Sequence, residues 1–371
     1  MGRDLRFDTL RGLFLVCMTV NHLPTEIRAV TDGSLGVFSA AEAFVFLSGL
    51  MAGMVYVRRL RIDGPRGLMQ ACGARARTIY GWHMVSFLAA FVVCQATEHL
   101  LGFCSTAVPR LFFQHPALSL GLGACLLYQP GLLDLLPMYC GFVLLVPFVL
   151  VELERGHRAR VLAASGALWL ASQWAPPVDG APLYPINTGS FNLFAWQLIF
   201  VLGIVVGHAH RTGQDLVRRP SRWVVALGLA VVVYGIGLRH PGWPRLWPDS
   251  VLGALLNKPA LGLLRLADFG CVAYLVAILG ARFPWLIRCR PLEFLGRHSL
   301  VAVATQSVVI TLFLQFPPLF ETAADRTLAV AGVVALMFFA ASIRQACLCA
   351  PDDPAATRAS PLPDRSLSST A

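Results

Sequence analysis

Several polar side chains that can transfer protons or bind anions stand inside long apolar stretches of this sequence. They comprise a histidine, three carboxylates, three arginines and neighbouring neutral groups: Arg11, His22, Glu42, Ser48, Asp134, Asn192, Trp196, Arg265, Asp268 and Arg297. An imidazole can act as a general base, a carboxylate can orient it, and a guanidinium can hold phosphate or carboxylate oxygens. A charged side chain at the centre of a lipid bilayer costs at least about 2.5–3.5 kcal/mol on insertion scales. Each charged residue therefore requires a partner, a cavity or a function.

These residues also have purely structural interpretations. Arg265 and Asp268 are three residues apart, so they share one face of a helix and could neutralise each other. Glu42 could be a protonated acid that faces the protein interior. His22 lies two residues before Pro24 and could cap a helix end whose backbone the proline frees. The sequence alone leaves both kinds of interpretation open.

The composition indicates the environment in which these residues work. The chain has 371 residues, of which 56% are hydrophobic and only 13% are charged, whereas a soluble domain carries about 25% charge. The mean hydropathy is +0.65. Apolar residues in such excess must face lipid, which excludes a soluble globular protein, a disordered chain, a disulfide-stapled secreted domain and a collagen-like fibre.

Ten apolar stretches are long enough to be membrane-spanning helices. A spanning helix needs about 20 residues, because each residue advances about 1.5 Å through a hydrocarbon layer of about 30 Å. The predicted spans are 10–27, 36–57, 78–100, 132–151, 159–175, 191–207, 222–238, 260–280, 297–316 and 327–346. The apolar segment 111–128 contains Pro116, Gly121 and Gly123, so we predict a re-entrant or interfacial segment there. The fold class is an all-α membrane bundle.

The lysines and arginines predict the orientation of this bundle. With the N-terminus inside, the inner segments hold 22 of them and the outer segments hold 6. Because positive charge concentrates in cytoplasmic loops, we expect both termini in the cytoplasm. His22, Glu42, Asp134, Asn192, Arg265 and Asp268 then form an outer polar zone, and Arg11, Arg297 and His298 an inner one. The arginine-rich inner loop RRLRIDGPRGLMQACGARAR is an orientation signal or, alternatively, binds an anionic ligand or lipid headgroup.

The chain divides into a membrane domain over 1–346 and a disordered cytoplasmic tail over 347–371, which is rich in proline, serine and alanine. We expect no bound metal, because His208 and His210 lack carboxylate or cysteine partners at a familiar ligand spacing. Nothing in the sequence suggests nucleic-acid recognition. A homodimer is the default oligomeric state.

The segments RFDTLRGLFLVCMTVNHLP and FSAAEAFVFLSGLMAGMVY resemble the OpgC family of inner-membrane proteins, which succinylate osmoregulated periplasmic glucans. The wider class of integral membrane acyltransferases is marked by an arginine or lysine separated from a histidine by ten residues, and Arg11 and His22 have this spacing. LDLLPMYCGFVLLVPFVL, FNLFAWQLIFVLG, LGLLRLADFGCVAYLV and PLEFLGRHSL are similar to further family blocks in the same order. The resemblance extends from Arg3 to about Ile343. Asp268 stands where the family usually has a histidine, and VAVATQ follows GRHSL where many relatives carry a proline and an aromatic residue.

The resemblance implies a bacterial inner-membrane enzyme that transfers an acyl group, expected to be succinyl, from a cytoplasmic coenzyme A thioester to a periplasmic glucan. No cofactor is bound, since acyl-coenzyme A is a co-substrate. Arg11, Arg297 and some of the arginines from Arg58 to Arg77 would hold the phosphates, and His22 would activate the acceptor hydroxyl or become acylated itself. Glu42 or Asp134 would orient His22. The remaining predicted substrate-binding residues are Ser48, Asn192, Trp196, Arg265 and Asp268, of which Arg265 or Asn192 would hold the oxyanion or the acyl carboxylate.

Two other functions use similar residues. A proton-coupled transporter or lipid flippase also carries His, Glu and Asp in its helices, but it often has inverted repeats, and the first five spans do not resemble the last five. A non-catalytic assembly subunit would need no acyl-donor site. Binding of an acyl thioester therefore distinguishes the enzyme from the assembly subunit.

Overall fold

The computed structural model describes residues 4–33, 35–102, 111–174, 186–214 and 221–349. Within these ranges the chain is helical, and one isolated bridge joins Tyr128 to Asn187. The α-helices are α1 Leu5–His22, α2 Arg28–Thr31, α3 Ala40–Leu101, α4 Leu111–Gln114, α5 Pro116–Ala124, α6 Leu135–Glu154, α7 Arg158–Ser172, α8 Leu193–Arg211, α9 Arg222–Gly237, α10 Asp249–Leu255, α11 Leu263–Arg282, α12 Arg290–Arg297, α13 Ser299–Phe313 and α14 Ala323–Cys349. Two short 3₁₀ helices lie at Pro284–Ile287 and Pro317–Phe320.

Each of the ten predicted spans lies on a helix, but the predicted number of spans is not confirmed. Among the described residues, five helices are long and apolar enough to cross a membrane, or six if α12 and α13, bent by 87°, count as one. The helices α7 and α9 have only 15 and 16 residues, and α3 contains two of the predicted spans. Within the segment 111–128 lie the short helices α4 and α5, of 4 and 9 residues, which are each too short to cross a membrane; the re-entrant or interfacial position stays a prediction.

The prediction of an arginine-rich loop within 58–77 is wrong, because α3 continues through this segment. The helix is interrupted at Gly64, which has φ 68° and ψ −176°, and Pro65 follows. Glycine tolerates the positive φ, and a proline disfavours the helical conformation in the residue before it. Gly64 therefore divides α3 into two helical arms that cover the second and third predicted spans.

The core forms where α3 packs against α6 and α8. The backbones of α3 and α8 touch through glycines: a Cβ atom added to Gly49 would lie 2.1 Å from the Phe200 carbonyl oxygen, and one added to Gly207 would lie 2.0 Å from that of Leu50. Small residues allow such close helix packing inside a membrane. Elsewhere the bundle exposes apolar side chains, such as Trp223 on α9, as expected of surfaces that face lipid.

The predicted tail begins inside a helix, since α14 continues to Cys349. The rest of the predicted tail lies outside the described residues.

Candidate functional site

A cavity of about 530 Å³ lies among α1, α3, α6, α8 and α13. Four arginines line it, together with hydroxyl-bearing side chains and an apolar wall: Arg11, Arg58, Arg75, Arg211, Ser48, Tyr56, Tyr139 and Ser299, with Phe44 and Phe200 among the apolar groups. Asp4 is the one carboxylate among the lining residues of the described chain. The cavity is therefore strongly basic and suited to an anionic ligand.

The cavity has an open end and a closed end. Arg58 and Arg75 are exposed at one end, whereas Phe44, Tyr139 and Phe200 are buried at the other. Along the first arm of α3, Phe44 and Arg58 are separated by about 21 Å of helix. A ligand that enters beside the exposed arginines would pass towards an aromatic closed end.

Arg11 lies close to this closed end. Its Nη2 donates a hydrogen bond to Ser299 Oγ at 2.5 Å, and its guanidinium carbon lies 5.6 Å from the centre of the Phe44 ring. The contact with the ring is a cation–π interaction, which holds the guanidinium in place. Ser48 Oγ donates to the backbone oxygen of Phe44 at 2.8 Å and lines the same space. The structure thus brings Arg11 and Ser48 together.

Asp4, the one carboxylate among the described lining residues, is paired with an arginine that does not line the cavity. Asp4 forms an ion pair with Arg6 at 2.6 Å, and Arg6 also donates to the Gly280 carbonyl at 2.8 Å. Burial alone would raise the pKa of Asp4, but the hydrogen bonds and the charge of Arg6 lower that pKa below its ordinary value. Asp4 is therefore ionised near neutral pH and is already paired with Arg6.

His22 lies at the opposite end of α1, about 16 Å along the helix axis from Arg11. Its side chain is exposed and does not line the cavity described above. Nδ1 lies 2.7 Å from the Met18 carbonyl oxygen. Because a carbonyl oxygen only accepts, Nδ1 carries the proton, and in the neutral ring the free electron pair is on Nε2. This tautomer has the electron pair that a general base requires.

Glu42 pairs with Arg265, and neither carboxylate predicted to orient His22 contacts it within the described residues. Arg265 donates two hydrogen bonds to Glu42 Oε1, from Nε at 2.9 Å and from Nη2. Glu42 Oε2 accepts from the Ser39 backbone at 3.0 Å and from the Ser39 hydroxyl at 2.6 Å. Glu42 is fully buried and the Arg265 side chain is 9% exposed. The suggested neutralisation of Arg265 by Asp268 is replaced by this ion pair, which links α3 to α11.

Asp268 holds the segment that precedes α3. Its Oδ2 accepts hydrogen bonds from the backbone of Val37 at 2.6 Å and of Phe38 at 3.3 Å. A Cβ atom at Gly36 would lie 2.1 Å from the same carboxylate, so glycine is required there. Asp268 therefore lies near the Glu42–Arg265 pair, with backbone groups as its hydrogen-bond partners.

Asp134, the second carboxylate predicted to orient His22, precedes α6. Its Oδ2 accepts a hydrogen bond from the Ser190 backbone at 2.9 Å. A Cβ atom at Gly189 would lie 2.3 Å from the Asp134 Cβ, so the two segments are in close contact. Through these contacts Asp134 joins the start of α6 to the segment before α8.

Asn192 and Trp196 stabilise the start of α8. The Asn192 side chain accepts hydrogen bonds from the backbones of Phe194 and Ala195, which makes it the N-cap of the helix. Trp196 is fully buried and donates from Nε1 to the backbone oxygens of Lys258 and Pro259, at 3.2 and 3.1 Å. The structure gives both residues structural contacts and places neither in the basic cavity.

Arg297 does not line the cavity either. It forms an ion pair with Glu293 one turn earlier in α12, and its side chain is 42% exposed. Arg211 at the end of α8 contributes to the cavity instead.

Sequence reasoning missed five polar residues of this cavity: Asp4, Tyr56, Tyr139, Arg211 and Ser299. Tyr139 and Ser299 are neutral, so the cost of burying a charge does not identify them. Arg211 lies in a predicted inner segment, where its positive charge served only to predict the orientation of the bundle. Ser299 lies within the family block PLEFLGRHSL, directly after Arg297 and His298, and this position was the available signal for it.

Within the described residues, no group of three or more histidine, cysteine, aspartate or glutamate side chains could hold a metal ion. In the part of the chain that the structure describes, the fold and the site define a helical protein with helices long and apolar enough to cross a membrane and with an arginine-lined cavity. A family model described as OpgC protein matches residues 3–348, nearly the whole chain, and the chain belongs to the OpgC family. No curated protein and no solved structure matches the chain.

Proposed function

We propose that this protein is an acyltransferase of the bacterial inner membrane, with both termini in the cytoplasm. It moves an acyl group, succinyl in the simplest case, from a cytoplasmic coenzyme A thioester to a hydroxyl of a periplasmic glucan. The basic cavity is the observation that supports this proposal. Coenzyme A carries several negatively charged phosphate groups, and a guanidinium group can bind a phosphate through two parallel hydrogen bonds.

In this proposal Arg58, Arg75 and Arg211 bind the nucleotide phosphates at the open end, and Arg11 binds one closer to the closed end. The pantetheine arm must then continue along α1, beyond the residues that line the cavity, to reach His22. The separation of about 16 Å along the helix is comparable to the length of an extended pantetheine arm.

His22 acts as the general base of the reaction. Nε2 takes the proton of the acceptor hydroxyl while the hydroxyl oxygen attacks the thioester carbonyl. A carbon–oxygen bond forms, the carbon–sulfur bond breaks, and the coenzyme A thiolate leaves and is protonated by the imidazolium. The hydrogen bond from Nδ1 to the Met18 carbonyl supports this role, because it keeps Nε2 free of a proton at the start. Glu42, Asp134, Asn192, Arg265 and Asp268 maintain the outer zone around the acceptor.

The test is acyl transfer in vesicles that contain the purified protein, labelled succinyl-coenzyme A and a glucan acceptor. His22→Ala should lower turnover by about 10²–10⁴-fold, the usual contribution of a general base. His99→Ala, which changes an exposed histidine on α3, is the matched control and should leave turnover unchanged. Wild-type turnover by the His22 variant would refute its role as the base.

A second pair of variants tests the phosphate assignment. Arg11→Gln should raise the Michaelis constant for succinyl-coenzyme A about 10-fold or more, since hydrogen bonds to charged groups contribute about 1.5–3 kcal/mol. Arg222→Gln removes an arginine of α9 outside the cavity and should not change it. If labelled glycan crosses the membrane unmodified and no acyl product forms, the protein is a transporter.

A further inference from the structure

Tyr139 has a buried hydroxyl without a hydrogen-bond partner among the described residues. The residue is 7% exposed and lies on α6 at the closed end of the basic cavity. Its ring packs edge to face against Phe44 and Phe142, with centres 6.0 and 6.3 Å away. A buried polar atom without a partner is unfavourable and is rare in folded proteins. The hydroxyl therefore marks a place where a ligand supplies the missing partner.

The surroundings of this hydroxyl indicate the chemistry of that ligand. Ser48 and Arg11 are polar residues that line the same cavity as Tyr139. Ser48 uses its proton on the Phe44 carbonyl, and Ser299 accepts a hydrogen bond from Arg11. Among the described lining residues the one carboxylate is Asp4, which lies seven residues before Arg11 on the chain and pairs with Arg6. A guanidinium beside a neutral O–H donor suits an anionic oxygen.

We propose that Tyr139 and Arg11 form a subsite for an anionic oxygen of the bound acyl-coenzyme A, with the Tyr139 hydroxyl as a direct hydrogen-bond donor. The inference rests on the proposed function for the identity of the ligand. Two parts of such a ligand carry this chemistry: a phosphate oxygen and the terminal carboxylate of a dicarboxylic acyl group. The aromatic ring of Tyr139 packs in the core, so Tyr139→Phe removes the donor while keeping that packing.

The experiment measures the equilibrium binding of coenzyme A, acetyl-coenzyme A and succinyl-coenzyme A to the purified protein. Tyr139→Phe should raise the dissociation constant about 10-fold or more, as expected when a hydrogen bond to a charged group is lost. A phosphate contact weakens all three ligands equally, whereas a carboxylate contact weakens succinyl-coenzyme A alone. Tyr274→Phe removes a hydroxyl from a tyrosine of α11 that does not line the cavity, and it should leave all three constants unchanged. Wild-type affinities for all three ligands in Tyr139→Phe would overturn the inference.

Two further measurements separate this inference from the proposed function. Without ligand, Tyr139→Phe should unfold at the same temperature as the wild type or higher, because the lost hydroxyl has no partner, so weaker binding cannot be attributed to misfolding. If the wild type binds none of the three coenzyme A compounds, the proposed function fails. Binding of inorganic pyrophosphate and of succinate then tests the subsite. If the wild type binds either anion and Tyr139→Phe does not, the subsite is supported. If the wild type binds neither anion, the subsite is refuted.

Discussion

The ion pair between Glu42 and Arg265 allows a structural role to be distinguished from a catalytic one. Glu42 is fully buried and receives two hydrogen bonds from Arg265 and two from Ser39. The substitution Glu42→Gln keeps the shape of the side chain but removes its charge, so the buried Arg265 guanidinium loses its ion-pair partner. The substitution also places the N–H donors of the glutamine amide against the donor groups of Arg265 and Ser39. Removing one partner of a buried pair costs about 3–5 kcal/mol.

This loss corresponds to a shift of roughly two to four powers of ten in the unfolding equilibrium, since about 1.4 kcal/mol is a factor of ten. The assay is denaturant unfolding of the purified protein in detergent micelles. Glu98→Gln is the matched control, because Glu98 is an exposed carboxylate on the same helix and its change should cost little. The double variant Glu42→Met, Arg265→Met removes both charges and should recover most of the loss.

Two results would refute this reasoning. Glu42→Gln could have the same free energy of unfolding as Glu98→Gln and the wild type, which would mean that the ion pair does not stabilise the fold. Alternatively, Glu42→Gln could keep wild-type stability and lose acyl transfer. Glu42 would then act in the chemistry, as the sequence predicts.

Three other substitutions have defined outcomes. Ser299→Ala removes the hydroxyl that contacts Arg11 and should raise the Michaelis constant for succinyl-coenzyme A about 2- to 12-fold, from a hydrogen bond contributing about 0.5–1.5 kcal/mol; an unchanged constant contradicts the role of the Arg11 contact. Gly49→Ala places a methyl group 2.1 Å from a backbone oxygen of α8 and should lower the free energy of unfolding by about 1–3 kcal/mol, whereas Gly73→Ala, with open space around it, should not; equal stability of the two variants contradicts the close packing of α3 and α8. Asn192→Ala removes the cap of α8 and should cost about 0.5–2 kcal/mol of stability without changing the specific activity of the folded protein; a lost activity with unchanged stability instead supports the predicted substrate contact.

Helix positions were predictable from hydropathy, because an apolar stretch that faces lipid must satisfy its own backbone hydrogen bonds. The continuity of α3 through its arginine-rich segment was not. Charge there suggested a solvated loop, but arginine, leucine, methionine and alanine all favour helices, and only the Gly64–Pro65 step breaks the backbone pattern. Helix propensity is the better guide where a charged segment lacks other helix-breaking residues.

The predicted site was recovered in part, for a physical reason. Charges in apolar stretches were correctly expected to need partners, yet the partner of Arg265 is 223 residues away at Glu42 rather than three residues away at Asp268. A linear pattern reports neighbours on one helix and does not report contacts between helices. Tyr139 and Ser299 carry no charge, so only the cavity that they share with Arg11 reveals them.

The most direct test of the central claim, that this basic cavity holds coenzyme A, is photocrosslinking with a coenzyme A that carries a photoreactive adenine. Peptide mapping by mass spectrometry should find the label beside Arg58, Arg75 and Arg211 at the open end of the cavity. Excess unlabelled coenzyme A should suppress this labelling, and Arg222→Gln should leave it unchanged. Label found only on helices that do not line the cavity, or labelling that unlabelled coenzyme A does not suppress, would contradict the account.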